Sequence, residues 1–421
     1  MKALVLTADP NTLICHRGEL IKTFAAKGWK VVAAAAGESE RAAVFMASVG
    51  GEYRALPLAR SSLNPAKDIA FAAAVEKLIR RERPDTIFAY TIKSVIYGCL
   101  MGALCRVPRR FALIPGLGYA FTPDGTWKQR LVGFASATLY RLALRFAHHV
   151  FLQNHDDEAL LRERGILPED VPSTVTLGSG VHLGEFAMRA PRPPMNGTLR
   201  CVLVTRLLES KGVRIYAEAA KILRAENRAW EFQLVGPGDP SPDGINQAEA
   251  CAWTAKKILN YRGSLTDVRP PLADADVFVL PTYYREGVPR SALEALAAGR
   301  PIITTDAVGA RETVELTAEG KAQRERGEPV MQGTNGFLIR PRDARAGGGA
   351  APLRRARRRC LRRPVVPRPR DRRRALRCAP RQHGDPRRDE QQRAARIHRR
   401  RRDRPDPVLI FRLSTAHQTE A

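Results

Sequence analysis

Two glutamates eight positions apart frame the segment richest in chemistry: Glu286 and Glu294, with Gly287-Val288-Pro289-Arg290-Ser291-Ala292-Leu293 between them. Residues 277–280 read as a buried strand, and a helical pattern containing Glu294 begins near Pro289. A loop between such elements leaves free backbone N–H groups and the positive end of a helix at the carboxyl edge of a parallel sheet, where α/β proteins bind anions. Phosphate suits the amides. Carboxylates in the same place would repel phosphate unless they serve hydroxyl groups, and a sugar nucleotide meets both needs. Upstream, Arg206 follows another strand and Lys211-Gly212 opens a helix. A forked guanidinium and a compact ammonium could converge there on one diphosphate and neutralise a leaving group. Taken alone, the Arg206 and Lys211 pair reads better as solvated surface charge; the downstream loop is what turns the reading toward a diphosphate.

These residues need scaffolds to hold them. Short apolar runs at 3–6, 31–36 and 86–90 alternate with helix-like stretches at 17–27 and 68–83, the rhythm of βα units around a buried parallel sheet. A proline-rich stretch at 189–197 has linker composition. Beyond it the rhythm resumes, with strands at 200–204, 231–235, 277–280 and 301–304 and helices at 213–226 and 289–298. Pro289 suits a first helical turn, and Gly299 a C′ position with Pro301 just beyond. The expected fold class is α/β: two facing Rossmann-like domains at 1–188 and 189–343, followed by an aberrant tail at 344–421.

The charge of +27 would suggest nucleic acid, but it is unevenly placed. Residues 341–421 hold 26 Arg against 8 acidic residues, whereas 1–340 hold 44 basic against 35 acidic. The body carries 13 Lys and the tail none, which implies a different coding process: a shifted reading frame near Asp343 in a GC-rich gene. The alternative is a basic tail that binds nucleic acid or anionic lipid. Seven cysteines form no CxxC pair and read as reduced and structural. No leader or long apolar window is evident, so a cytoplasmic protein is expected.

The segment from Glu286 to Glu294, with Arg206, Lys211-Gly212, Gly236-Pro237-Gly238, Gly309 and Gly180-Val181-His182-Leu183-Gly184-Glu185-Phe186, resembles the retaining family-4 glycosyltransferases of the GT-B fold. Residues 90–98 and 110–119 resemble the branch that extends polyprenyl-diphosphate-linked or lipopolysaccharide sugars, including N-acetylgalactosaminyltransferases. The resemblance implies transfer of a hexose or N-acetylhexosamine from a UDP-sugar to a lipid-linked saccharide of a bacterial surface polysaccharide, with retention and no bound metal or other cofactor. It assigns Arg206 and Lys211 to the donor diphosphate, Glu286 to the donor sugar and Glu294 to the ribose. Amides of Gly287, Val288, Pro289, Arg290 and Ser291 complete the cradle as far as each has an N–H, and Gly236 and Gly238 let the chain pass close to the nucleotide. Lys93, Gly116 and Gly118 fall on the acceptor side, with Arg17, at the start of the first helix, as an acceptor or phosphate contact. Thr7-Ala8-Asp9 stands where many relatives carry a Gly-Gly pair, and no histidine matches a catalytic one; His148, His149 and His155 are candidates by type alone. A GT-B epimerase would share the fold, and a tail-driven nucleic-acid binder remains the non-enzymatic alternative.

By resemblance, C-terminal helices should cross back to the first domain, and the Arg-rich tail lacks an apolar face for that, so a poorly stable, weakly active chain is expected. Residues 127–146 read as a helix with Leu131, Val132, Ala135, Leu139, Leu142 and Phe146 turned to the core. Trp127, Arg130, Phe134, Arg141 and Arg145 then gather on an adjacent side suited to the anionic inner face of a cytoplasmic membrane. A core helix with solvated arginines is the alternative.

Overall fold

A computed structural model of the chain describes residues 1–57, 65–117, 127–188, 198–225 and 230–342, without the side chains of 65, 127–132 and 135. The 344–421 tail and Gly118 lie outside the described residues. The first sheet consists of β1 (Lys2–Leu6), β2 (Lys30–Ala36), β3 (Glu52–Leu56), β4 (Thr86–Tyr90), β5 (Arg109–Ile114), β6 (His149–Leu152) and β7 (Ser173–Val175). They lie in the order β3-β2-β1-β4-β5-β6-β7, all parallel. Burial of β1, β2 and β4 among helices on both faces explains their Val-, Ala- and Leu-rich runs.

The second sheet repeats the plan with β8 (Leu199–Val204), β9 (Trp230–Val235), β10 (Asn260–Tyr261), β11 (Val277–Leu280), β12 (Ile302–Thr305), β13 (Val330–Gln332) and β14 (Gly336–Ile339). Its order is β10-β9-β8-β11-β12-β14-β13, with only β13 antiparallel among the described strands. Strand order reverses between β1 and β4 in one sheet and between β8 and β11 in the other. Loops diverge at such points and leave a crevice beyond the carboxyl ends of the strands. The fold is the expected pair of Rossmann-like sheets.

Local boundaries follow from chain chemistry. Asp9 caps the helix Pro10–Cys15 through the Asn11 amide, and Asn154 caps His155–Glu163 through the Asp157 amide. Pro289 is the N-cap of the helix Arg290–Ala297 and not part of its first turn, because its ψ of 119° is extended. Gly299, at φ 80°, takes the left-handed position just past the end of that helix.

One helix departs from expectation. The helix Trp127–Leu144 does not turn Leu139 and Leu142 to the core; both are exposed, as is Phe146 just beyond it. Its buried face carries Gly133, Tyr140, Ala143 and Leu144. This face packs against Ile92–Leu104, where Tyr140 and Leu144 fill the core beside the small Gly133 and Ala143. Replacing Tyr140 with Ala should therefore lower the denaturation free energy by about 3 kcal/mol or more, while Leu142→Ala should change it by less than about 1 kcal/mol. Urea midpoints of the two variants measure the difference, and equal losses would contradict this orientation.

Candidate active site

The carboxyl ends of the two sheets meet at glycine. Pro115 and Gly116 follow β5, and the loop 281–289 follows β11. A Cβ on Gly116, at φ 156°, would stand 2.5 Å from the Gly287 nitrogen, and one on Gly287 would overlap the Pro115 carbonyl oxygen. Gly309, at φ 79°, packs its bare Cα against the Gly287 carbonyl from the other side. Gly116 thus serves the contact between domains, a role its place in the sequence did not reveal.

From within the second domain, the same loop hangs on Ser210. The amides of Tyr283 and Tyr284 donate to the Ser210 carbonyl at 2.8 and 3.1 Å, and Thr282 Oγ1 adds a bond at 3.2 Å. Gly212 is left-handed at φ 75°, where any Cβ would overlap the Pro281 carbonyl. This turn brings Lys211 Nζ to 2.5 Å from Glu286 Oε1 and over the Tyr284 ring at 5.4 Å. At the other end of the segment, Arg290 Nε lies 2.8 Å from Glu294 Oε1. Burial raises the Glu294 carboxyl above its ordinary value, with Arg290 pulling the other way.

Arg206 and Lys211 do not converge on one point. Arg206 is half exposed and pairs with Asp239 at 2.7 Å, whereas Lys211 is buried against Glu286. Each cation takes the nearest carboxylate, and the arginine reaches away along its long stem. Gly236 is needed for a protein contact as well as any ligand: at φ 149° its Cβ would overlap the Thr205 carbonyl, and its amide donates to Gly263. Gly238 has ordinary space around it. Val288 is buried under Gly178. Ser291 lies in the first turn of the helix that starts at Arg290.

On the opposite side, the Lys93 ammonium pairs with Asp68 at 2.6 Å. Arg141 likewise differs from expectation: its guanidinium donates to the carbonyls of Arg164 and Gly165 at 2.7 and 2.9 Å, at the C-terminus of the helix His155–Glu163. Phe134 and Arg145 are exposed, and the side chains of Trp127 and Arg130 lie outside the described set. His148 accepts from the Arg110 amide, His149 bonds Thr174, and His155 is exposed.

Sequence reasoning missed three features. Arg285, beside Glu286, crosses to the first domain, where its Nε and Nη2 meet the buried Asp157 Oδ1 at 2.9 and 2.8 Å. Asn154 Nδ2 donates to the Glu286 carbonyl at 3.2 Å. Nothing in the spacing of Asn154 or Asp157 points to a loop more than 120 residues away. Thr91, the N-cap of Ile92–Leu104, sits at φ 73°, a strained value for a β-branched residue, with its Oγ1 accepting from the Ala8 amide at the first switch point. His16 is the third. Burial, then the charges of Arg17 and Arg290, push its imidazole down to about 3, so it stays neutral at physiological pH.

Sheets arranged in this way, meeting at their carboxyl edges around a strand-loop-helix with two carboxylate and cation pairs, define a glycosyltransferase of the GT-B fold. Two family models match: glycosyl transferases group 1 over residues 198–350 and a glycosyl transferase 4-like domain over residues 16–173. The chain belongs to the family-4-like GT-B glycosyltransferases. It is 28% identical over 276 residues to an N,N'-diacetylbacillosaminyl-diphospho-undecaprenol alpha-1,3-N-acetylgalactosaminyltransferase of Campylobacter jejuni, covering 62% of this chain and 69% of that one. Over 256 residues it is 27% identical to a UDP-Gal:alpha-D-GlcNAc-diphosphoundecaprenol alpha-1,3-galactosyltransferase of Escherichia coli, covering 58% and 63%. Among solved structures, Anabaena HepE in complex with UDP-glucose matches with a TM-score of 0.62 at 15% identity over 100% of both chains. A sucrose-phosphate synthase from Thermosynechococcus elongatus gives 0.62 at 20% identity, covering 87% of this chain and 91% of that one.

The pKa of His16 yields a sign that can be measured. Its folded value of about 3 lies below the ordinary 6.5, so between those limits the unfolded chain binds a proton that the folded chain rejects. Stability attributable to this group should be full above about pH 6.5 and fall by up to about 1.4 kcal/mol per unit as pH drops toward 3. In urea titrations across pH, the parent minus His16→Asn difference should show that slope; parallel curves would contradict it.

Proposed function

We propose that the chain transfers a hexose or N-acetylhexosamine, with retention, from a UDP-sugar to a lipid-linked saccharide in the synthesis of a bacterial surface polysaccharide. The observation that carries this reading is the paired arrangement at the second switch point, Lys211 with Glu286 and Arg290 with Glu294, on a loop held against the first domain. A nucleoside diphosphate sugar could replace both partners: its phosphates take the cations, and its hydroxyls take the carboxylates. Names of the Campylobacter and Escherichia relatives support an undecaprenyl-diphosphate-linked acceptor, and the UDP-glucose complex of a GT-B neighbour supports the donor class.

In this reading Lys211 holds the donor diphosphate, and Arg206 swings from Asp239 to join it. Their charges stabilise the negative charge that develops as the bond from the anomeric carbon to the phosphate oxygen breaks. The acceptor hydroxyl attacks from the same face, its oxygen bonding to the anomeric carbon, and its proton passes to the departing phosphate oxygen. No separate base is required, and no metal is invoked. Glu286 orients the sugar, Glu294 the ribose. Calorimetry with UDP should show binding to the parent that weakens about 10- to 100-fold in Lys211→Ala and in Glu294→Ala, the worth of one charge-assisted hydrogen bond. A parent that does not bind UDP would overturn the reading.

A membrane face fits the acceptor. No described helix is long and apolar enough to cross a membrane. Phe134, at 73% exposure, with Leu142, Phe146 and Arg145, forms an apolar and cationic surface suited to anionic headgroups at the inner face of the cytoplasmic membrane. Flotation with phosphatidylglycerol vesicles should be lost in a Phe134→Ser, Leu142→Ser, Phe146→Ser, Arg145→Glu variant; undiminished flotation would remove this surface from the proposal.

A further inference from the structure

Arg285, Glu286 and Gly287, consecutive in the loop after β11, are each met by a residue of one short segment of the first domain. That segment, 153–157, leaves β6 and opens the helix His155–Glu163. Asp157 Oδ1 accepts from Arg285 Nε and Nη2 at 2.9 and 2.8 Å. Asn154 Nδ2 donates to the Glu286 carbonyl at 3.2 Å. A Cβ on Gly287 would overlap Gln153 Oε1, so the Gln153 amide occupies the space that glycine leaves. Gln153 Nε2 is held in turn by Ser179 Oγ at 3.1 Å.

The segment is braced from within. Asn154 and Asp157 are both fully buried and bond each other twice: Asn154 Oδ1 accepts from the Asp157 amide at 2.7 Å, and Asn154 Nδ2 donates to Asp157 Oδ2 at 3.0 Å. The Leu117 amide, next to Gly116, donates to the same carboxylate. One enclosed carboxylate thereby ties the loops after β5 and β11 to a single helix start. An ion pair buried to this degree is a poor source of net stability, because desolvation offsets the attraction, but it fixes geometry. Glu286 is consequently held at two ends by different domains. Lys211 of the second domain holds its carboxylate at 2.5 Å, and Asn154 of the first holds its carbonyl. A diphosphate that draws Lys211 away removes the first hold and leaves the second.

We propose that Asn154 and Asp157, the latter acting through Arg285, are positioning residues for sugar transfer: they fix the Glu286 peptide so that its carboxylate meets a hydroxyl of the donor sugar once Lys211 has turned to the phosphates. They act through Glu286 and not on the donor itself. The inference rests on the sugar-transfer reading for the roles of Glu286 and Lys211. Its consequence is a separation of two affinities. UDP without its sugar makes no use of Glu286, so the contacts from the first domain are felt only by the intact UDP-sugar.

The test uses the full chain with Asn154→Ser, Arg285→Met, Arg285→Lys and Glu286→Ala, thermal melting, and calorimetry well below each melting temperature. The probes are UDP and whichever of UDP-glucose, UDP-galactose and UDP-N-acetylgalactosamine the parent binds most tightly. Serine keeps the helix cap but is too short to span to the Glu286 carbonyl. Asn154→Ser therefore stays informative should Arg285→Met, which strands the Asp157 carboxylate, fail to fold. In both variants UDP affinity should stay within about 3-fold of the parent, while affinity for the UDP-sugar falls about 5- to 20-fold, the worth of one or two hydrogen bonds. Arg285→Lys, which keeps the charge, should recover part of that loss. Equal losses for UDP and UDP-sugar, or a lower melting temperature with both affinities unchanged, would make these contacts structural and overturn the proposal. If Glu286→Ala weakens the UDP-sugar while Asn154→Ser and Arg285→Met bind it as the parent does, positioning fails and the donor reading stands. A parent that binds neither probe overturns both.

Discussion

Bare backbone touching bare backbone at Gly116 and Gly287 is the constraint on which the rest of the cleft depends. A side chain at either position would occupy space already held by peptide groups, and Gly309 closes the third side. The loop after β11 is therefore pressed against the first domain where polar side chains can reach it. Arg285 meets Asp157, and Asn154 meets the Glu286 carbonyl. Ser210 holds the start of the same loop from behind. A loop fixed from two domains presents Glu286 with little freedom, which is what orienting a sugar ring requires.

The electrostatics of the cleft are organised around exchangeable partners. Lys211 and Glu286, Arg290 and Glu294, and Arg206 and Asp239 each neutralise one another. Such pairs tolerate partial burial because neither charge is left alone. They also pair the groups that a sugar nucleotide would separate, cations for phosphate and carboxylates for hydroxyls. Arg17 stands apart, enclosed beside a neutral histidine with one carbonyl and one aromatic ring as its described contacts.

Much of the architecture was legible in the sequence because periodicity encodes burial directly. Strands buried on both faces read as continuous apolar runs, and β4 and β11 begin and end where the pattern predicts. The helix Trp127–Leu144 was misread for a physical reason: periodicity marks an apolar stripe but not which neighbour covers it, and contact with Ile92–Leu104 buried Gly133, Tyr140, Ala143 and Leu144 instead. The partners of Arg141 and Lys93 were not legible for another, since long cationic side chains find the nearest oxygen, and that oxygen lies more than 20 residues away in sequence.

By itself the sequence determined two domains of βα units, a strand-loop-helix carrying Glu286 and Glu294, and a cationic turn at Lys211, because local spacing and composition control each of them. Only the tertiary structure decided that Lys211 faces Glu286 while Arg206 turns to Asp239, and that Gly116 admits Gly287. Those facts depend on where chain segments 33 to 171 residues apart come together, and contact at that separation follows from packing and topology, which no local pattern records.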